Sequence, residues 1–442
     1  MSVLRDALNS YFKLEEKGTT VKTEFIGGLT TFMAMAYIIF VVPSMLADAG
    51  MPKDAAVTAN IVITAVITLG MGLWANFPVA VAPGMGITAF FAYYVCGVMG
   101  LPWQTGLGAV FISGVLFLIL TVTRLRQLII DSVPMDMKYA IVVGIGMFIA
   151  FIGLKNCGII VANNATFVTL GDLTQPGALL AIIGVFIIGA MMARNVAGAI
   201  LIGILLVTLL GMGMGAVKVP ASLSEIASLN VPSMAPLFLE MDIMAAVGYG
   251  LFSIVFTLTI VDLFDNIGTL IGLSRKANLM DKDGHIAGLD KALITDSIGT
   301  MASACVGTTT ATSYIESAAG IAAGGRTGLT AVFVALLFLV SLIFAPLVGI
   351  VPAFATAPAL IIVGALMMQE VVHIKFDDFT IAVPAFLTII MMPLTYSIAS
   401  GFGFGFISYA LMKTLSGRYK EVSAVMWVIS ICFAINFFLR LH

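Results

Sequence analysis

Four acidic residues lie where an acid is costly. Asp262 and Asp265 stand in Val261-Asp-Leu-Phe-Asp-Asn-Ile-Gly-Thr-Leu270, Asp296 in Ala292-Leu-Ile-Thr-Asp-Ser-Ile-Gly-Thr300, and Glu316 after Ser313-Tyr-Ile. All four are embedded in apolar sequence. Asp262 and Asp265, three residues apart, share a helix face. Glu316 opens a short helical pattern, where free N–H groups and the positive helix end favour an acid. A carboxylate taken out of water binds its proton more tightly, so such groups suit proton transfer near neutral pH. When ionised they accept hydrogen bonds and donate none. Few basic residues accompany them, so the matching solute is neutral, planar and rich in N–H groups rather than anionic. The competing structural reading has them cap the broken helices or pair with Lys291 and Arg326. It weighs more for Asp262 and Asp296 than for the other two.

The elements that must position these acids are membrane helices. Of 442 residues, 60% are hydrophobic and 10% charged, with a mean hydropathy of +1.12; soluble domains carry about 25% charged residues. A soluble enzyme is thereby excluded. The net charge of −2 offers no basic surface for nucleic acid. Apolar runs long enough to cross about 30 Å of hydrocarbon fall near 24–47, 54–75, 78–96, 103–125, 136–154, 175–193 and 196–215. A second set falls near 244–272, 288–303, 304–322, 326–347, 357–371, 377–396 and 399–416, with one further run at 421–441 that either spans or lies at the interface. The chain reads as an all-α polytopic protein of about 14 segments. A cytoplasmic segment 1–23 precedes a first set (24–215), a polar loop (216–243) and a second set (244–442). Arg5, Lys13, Lys17 and Lys22 place the amino terminus in the cytoplasm, with Arg124, Arg126, Arg194, Arg275, Lys276, Lys413, Arg418 and Lys420 on the same side. No short apolar core with a cleavage site follows them, so a cleaved signal peptide is not expected.

The two sets resemble each other at their third member. Phe77-Pro-Val-Ala-Val-Ala-Pro-Gly-Met-Gly86 is extended and then helical over Ile87–Tyr94; Ser303-Ala-Cys-Val-Gly-Thr-Thr-Thr-Ala-Thr312 is β-prone and then helical over Tyr314–Ala322. Irregular backbone inside a membrane is tolerated where it lines a cavity. Paired interruptions at matching positions point to a transporter's central site.

Other motifs carry less. Gly144-Ile-Gly146, Gly211-Met-Gly-Met-Gly215 and Gly401-Phe-Gly-Phe-Gly405 lack the strand–turn–helix context of nucleotide binding and read as close helix packing. No GxxxxGK[ST] occurs, so ATP is not the driving force. Cys96, Cys157, Cys305 and Cys432 have no ligand spacing, and His285, His373 and His442 are too scattered for a catalytic cluster. No metal site and no cofactor is expected. Asn164-Ala-Thr166 is a chance sequon, and the stretch from Lys276 to Lys291 reads as a solvated turn.

Three segments carry a resemblance: Ala82-Pro-Gly-Met-Gly-Ile-Thr-Ala-Phe-Phe91, Leu263-Phe-Asp-Asn-Ile-Gly-Thr-Leu-Ile-Gly272 and Thr312-Ser-Tyr-Ile-Glu-Ser-Ala-Ala-Gly-Ile-Ala-Ala-Gly-Gly-Arg-Thr-Gly-Leu-Thr330. From about residue 10 to its end the chain resembles the azaguanine-like purine permease branch of the nucleobase–cation symporter (nucleobase–ascorbate transporter) superfamily. The resemblance implies a seven-plus-seven inverted repeat. Spans 1–4 and 8–11 would form a core domain that carries substrate against a gate domain of spans 5–7 and 12–14, with segments three and ten discontinuous and holding short strands. It implies proton-coupled purine uptake in a cell membrane, the proton being the coupling ion. By position the acidic residues of the eighth, ninth and tenth spans fall on Asp265, Asp296 and Glu316. Asp265 and Glu316 then hold the base, with Thr88, Ser317 and Phe91 completing the pocket. Proton coupling falls to Asp265, Glu316 and Asp296. Thr88 replaces the Asn of many relatives. Related carriers are often homodimers. Guanine, with N1–H beside its 2-amino group, and hypoxanthine, with N1–H, match an ionised carboxylate better than adenine, whose N1 is an acceptor. Two alternatives stand against this reading. A sulfate- or bicarbonate-type carrier of the same architecture needs positive potential where Glu316 stands. An intramembrane aspartyl protease needs Tyr-Asp and Gly-x-Gly-Asp motifs, which the chain lacks.

Overall fold

The computed structural model describes residues 2–123, 125–248, 251–277, 279, 286 and 288–439, without the side chains of residues 2–5, 127, 130, 251–253, 265, 267, 268, 271, 275, 276 and 439. Arg124, His285 and His442, and the side chains of Asp265, Arg275 and Lys276, therefore lie outside the described residues.

An amphipathic helix α1 (Ser2–Phe12) leads into α2 (Val21–Met35), α3 (Ile38–Asp48) and α4 (Lys53–Leu73). The expected first span is thus two helices, interrupted at Ala36 and Tyr37; Pro43 further leaves the Ile39 carbonyl without its helical donor. Strand β1 (Val81–Pro83) follows, then α5 (Met85–Ala89), which widens into a π-helix over Phe90–Val98. Next come α6 (Trp103–Val122), α7 (Leu125–Ser132), α8 (Met135–Asn156), a hairpin of β2 (Ile160–Asn163) and β3 (Phe167–Leu170), α9 (Pro176–Ala193) and α10 (Ala199–Gly213).

After the polar loop, α11 (Ile243–Gly248) precedes α12 (Leu251–Lys276), α13 (Leu289–Val306), β4 (Ala311–Ser313) and α14 (Ser317–Ala322). The chain ends with α15 (Gly328–Ser341), α16 (Ala345–Ile350), α17 (Ala353–Met367), α18 (Phe379–Leu394), α19 (Ile398–Leu415) and α20 (Ala424–Leu439). The β-prone stretch from Ser303 is therefore helical as far as Val306. Gly307, at φ 93°, ends α13 in a left-handed conformation that suits glycine.

Among the described residues, eight helical stretches are long and apolar enough to cross a membrane. Five shorter apolar helices accompany them, including Met85–Val98, Ala199–Gly213 and Ala424–Phe438. The chain is a multi-pass helical membrane protein. Large apolar side chains such as Phe186, Leu209 and Phe438 are exposed on its outside, as lipid contact requires. The interior near the two strands is lined instead by buried hydroxyls, among them Thr64, Thr68, Ser303, Thr308, Thr309 and Thr310.

Candidate functional site

The two interruptions meet. β1 and β4 pair antiparallel, Val81 opposite Ser313, Ala82 opposite Thr312 and Pro83 opposite Ala311. So short a ribbon leaves backbone groups to be satisfied by side chains. Thr68 of α4 does this for Val81, accepting its N–H at 3.0 Å and donating to its carbonyl at 2.9 Å. The Ser317 hydroxyl accepts the Ala80 N–H at 3.0 Å, and the Tyr314 hydroxyl donates to the Pro83 carbonyl at 2.6 Å. At Gly84 a Cβ would come within 2.7 Å of the Thr312 hydroxyl, so the ribbon closes only with glycine there.

Glu316 is half-buried at the start of α14. Its Oε1 accepts a hydrogen bond of 2.5 Å from the Tyr37 hydroxyl. Tyr37 stands at the interruption between α2 and α3 and is fully buried. The sequence reading missed it, because an aromatic inside a long apolar run gives no signal of a helix break.

Behind the ribbon, Asp262 and Asp296 join one network. Asn266 donates to Asp262 Oδ1 at 2.5 Å and accepts the Ser313 N–H at 2.7 Å. The Ser313 hydroxyl in turn donates to Asp296 at 3.1 Å. Both acids are fully buried, and together they fix the end of β4 between α12 and α13.

Arg326, one of the cations offered by the sequence, is committed elsewhere. Arg326 Nη1 is spent on the carbonyls of Ile321 and Gly325, and its N–H goes to Glu24. The charges acting on the buried Arg126 are those of Asp296 and Asp262. Its guanidinium lies 4.4 Å from the centroid of the Phe117 ring, and Nη1 reaches Thr121 Oγ1 at 3.4 Å. Arg126 was counted among the cations of the cytoplasmic side; its side chain is buried and carries the charge back along α6. Glu24, another acid the sequence reading passed over, accepts from the N–H groups of Arg326, Thr327 and Thr330 and ties α2 to the start of α15.

The remaining expected pocket residues turn to the scaffold. Thr88 donates to the Gly84 carbonyl at 2.8 Å, and its oxygen lies 2.6 Å from that of Thr309. Ser317 is engaged with Ala80. The Phe91 ring packs against Gly106 of α6, where a Cβ would come within 2.6 Å of it. All three are fully buried in this arrangement. Asp265 lies on α12, which packs against both β4 and α14; the position of its side chain is outside the described residues.

Residues 22–404 match the profile of the Xan_ur_permease family, described as a permease family. The chain belongs to the nucleobase–ascorbate transporter family of permeases. This permease is 44% identical over 432 residues to the adenine permease AdeQ of Escherichia coli, covering 98% of this chain and 96% of that one. To the guanine/hypoxanthine permease PbuO of Bacillus subtilis it is 43% identical over 434 residues, covering 97% and 100%. Among solved structures, the transmembrane domain of a cyanobacterial bicarbonate transporter, BicA, superposes with a TM-score of 0.61 at 17% identity, covering 93% of this chain and 97% of that chain. That likeness shows a shared fold. The permease is a transport protein and not an enzyme.

Proposed function

We propose that this permease is a secondary active transporter that couples inward proton flow to uptake of a purine nucleobase. Its amino terminus is cytoplasmic and its segments form a seven-plus-seven inverted repeat. The core domain carries the base past the gate domain, with Glu316 and Asp265 as its ligands. One observation carries this reading: an acid, Glu316, stands at the start of a broken helix beside a two-stranded ribbon, with a hydroxyl donor already on one oxygen. An ionised carboxylate in that setting accepts from N1–H and an adjacent amino group together. An acceptor facing it unpaired costs about 1–3 kcal/mol, or roughly one to two decades of affinity. Guanine and hypoxanthine are therefore favoured over adenine, although relatives named for both kinds of base are similar to this chain to nearly the same degree. Coupling requires that protonation change the affinity of one conformation more than the other. We assign that step to Glu316 or Asp265, with Asp296 in positioning.

The test is uptake of labelled hypoxanthine by cells expressing the wild-type chain, Glu316→Gln or Asp265→Asn, with guanine, adenine, xanthine and uracil as competitors. Each variant is expected to lose at least tenfold in uptake, and a protonophore to abolish the wild-type signal. Near-normal, gradient-dependent uptake by both variants would overturn the assignment. An anion carrier is a second reading, favoured only by the shared fold. Sulfate or bicarbonate flux in reconstituted vesicles, without purine uptake, would favour it instead.

A further inference from the structure

A polar cleft that does not include Glu316 lies at the carboxyl ends of α3 and α8. It is an open groove of about 550 Å³, and Asp48, Tyr93, Lys155, Asn156 and Tyr396 are among the residues that line it. Cavities of this size hold small organic ligands. The lining comes from both halves of the chain: Asp48 ends α3, Tyr93 lies in the π-helix, Lys155 and Asn156 end α8, and Tyr396 joins α18 to α19.

The contacts are ordered. Tyr93 donates to Asp48 Oδ2 at 2.7 Å and accepts from Asn156 at 3.0 Å. The Tyr93 and Tyr396 rings meet edge to face at 6.1 Å. Lys155 Nζ stands 5.6 Å and 5.3 Å from their centroids, within range of a cation–π contact. Both tyrosines occupy unusual backbone. Tyr93 is π-helical, and Tyr396 is left-handed at φ 56°. The Tyr396 hydroxyl is buried with no hydrogen-bond partner. A bulky residue held at positive φ and a π-helical turn both cost energy and cluster at functional sites.

From this arrangement we infer that the cleft is a separate vestibule site, which binds the nucleobase before it reaches the centre. The inference rests on the nucleobase reading above. One carboxylate and one ammonium leave the lining without net charge, so ions gain little there. A neutral ring with donors on one edge and acceptors on another can address Asp48 and Asn156 together while lying against the tyrosines. The cleft joins the helix that follows β1 to the end of α8 and the α18–α19 connection, elements that the proposed function assigns to the core and gate domains, so on that reading a base entering between them from this face passes it.

The test uses the full chain with its four cysteines replaced and Val98→Cys introduced. Val98 is exposed and lines the cleft. Labelling by a membrane-impermeant maleimide is followed in right-side-out and inverted membranes, so orientation does not decide the outcome. Hypoxanthine at saturating concentration is expected to slow labelling at least fivefold, and to do so still when Glu316→Gln is added. Asn156→Ala is expected to abolish that protection. It should also raise the KM for entry from this face about tenfold and leave the KM from the opposite face within twofold. Protection that disappears with Glu316→Gln would make the effect a report from the central site and overturn the proposal. Equal protection by alanine, a non-planar zwitterion, would overturn it as well, as would an unchanged KM in Asn156→Ala. Failure of the wild-type chain to transport any base would instead strike the reading on which the inference rests.

Discussion

Tyr37 and Glu316 form the contact most sensitive to a single atom. A hydrogen bond to a charged acceptor contributes about 1.5–3 kcal/mol, and here it orients the oxygen pair that would meet a base. Tyr37→Phe keeps the ring and removes the donor. Its KM for hypoxanthine is expected to rise by roughly one to two decades, with the amount of monodisperse protein unchanged in size-exclusion chromatography. An unchanged KM would reduce Tyr37 to packing. Residue types and spacing led directly to Glu316 and to the acids at 262 and 296. They did not reveal which hydroxyls were free. Ser317 accepts the Ala80 N–H because a three-residue ribbon cannot satisfy its own ends, whereas Thr88 back-bonds to the carbonyl four residues earlier, as a threonine inside a helix does. The burial of Arg126 was hidden for a related reason: counting cations in loops speaks to where a backbone lies, but an arginine stem extends several ångströms back from it.

At the level of elements, the paired interruptions were legible because proline and glycine cluster there beside a β-prone run, as in Pro78 with Pro83-Gly84 and in Gly307 ahead of three threonines. The break at Ala36 and Tyr37 was not, since neither residue forbids a helix and the cause lies in tertiary contacts. What seats the short α14 against α2 is glycine. A Cβ on Gly320 would collide with the Thr31 hydroxyl and the Gly27 carbonyl, and a backbone carbonyl inside a helix cannot swing away. Gly349, on α16, has nothing within 4 Å of its Cβ position. Gly320→Ala is therefore expected to remove most of the folded protein, read as the monodisperse peak in detergent. Gly349→Ala should match the wild type or gain up to about 1 kcal/mol from helix propensity. If the two variants behaved alike, close approach of α14 to α2 would not be what positions Glu316.

Across the whole molecule, α8, α18 and α19 are tied together at both ends. One end is the tyrosine cleft. At the other, Arg418 pairs with Asp378 at 2.7 Å and with Glu421 through two nitrogens at 2.7 and 2.9 Å. The buried Lys413 reaches the same Glu421 at 2.7 Å, and Asp136 of α8 accepts the Lys375 N–H at 3.0 Å. Thr380 and Arg418 hold the Asp378 carboxyl well below the usual carboxylate range. Arg418 and then Lys413 draw Glu421 from an ordinary 4.5 to about 2. Both folded-state values are depressed, so the folded state binds fewer protons than the unfolded chain. The stabilisation is then complete above about pH 4.5 and is lost as pH falls through about 2. Arg418 and Glu421 are exposed and Asp378 is partly so, so the effect is small and weakens with salt. Arg418→Gln is expected to lower the melting temperature in detergent by on the order of 2 °C at low salt. That gap should be the same at pH 7 and pH 5, and should narrow steadily from pH 4.5 toward pH 3. A gap that stayed constant down to pH 3, or that ignored ionic strength, would mean that Arg418 acts through packing and that charge does not hold these helices at this face.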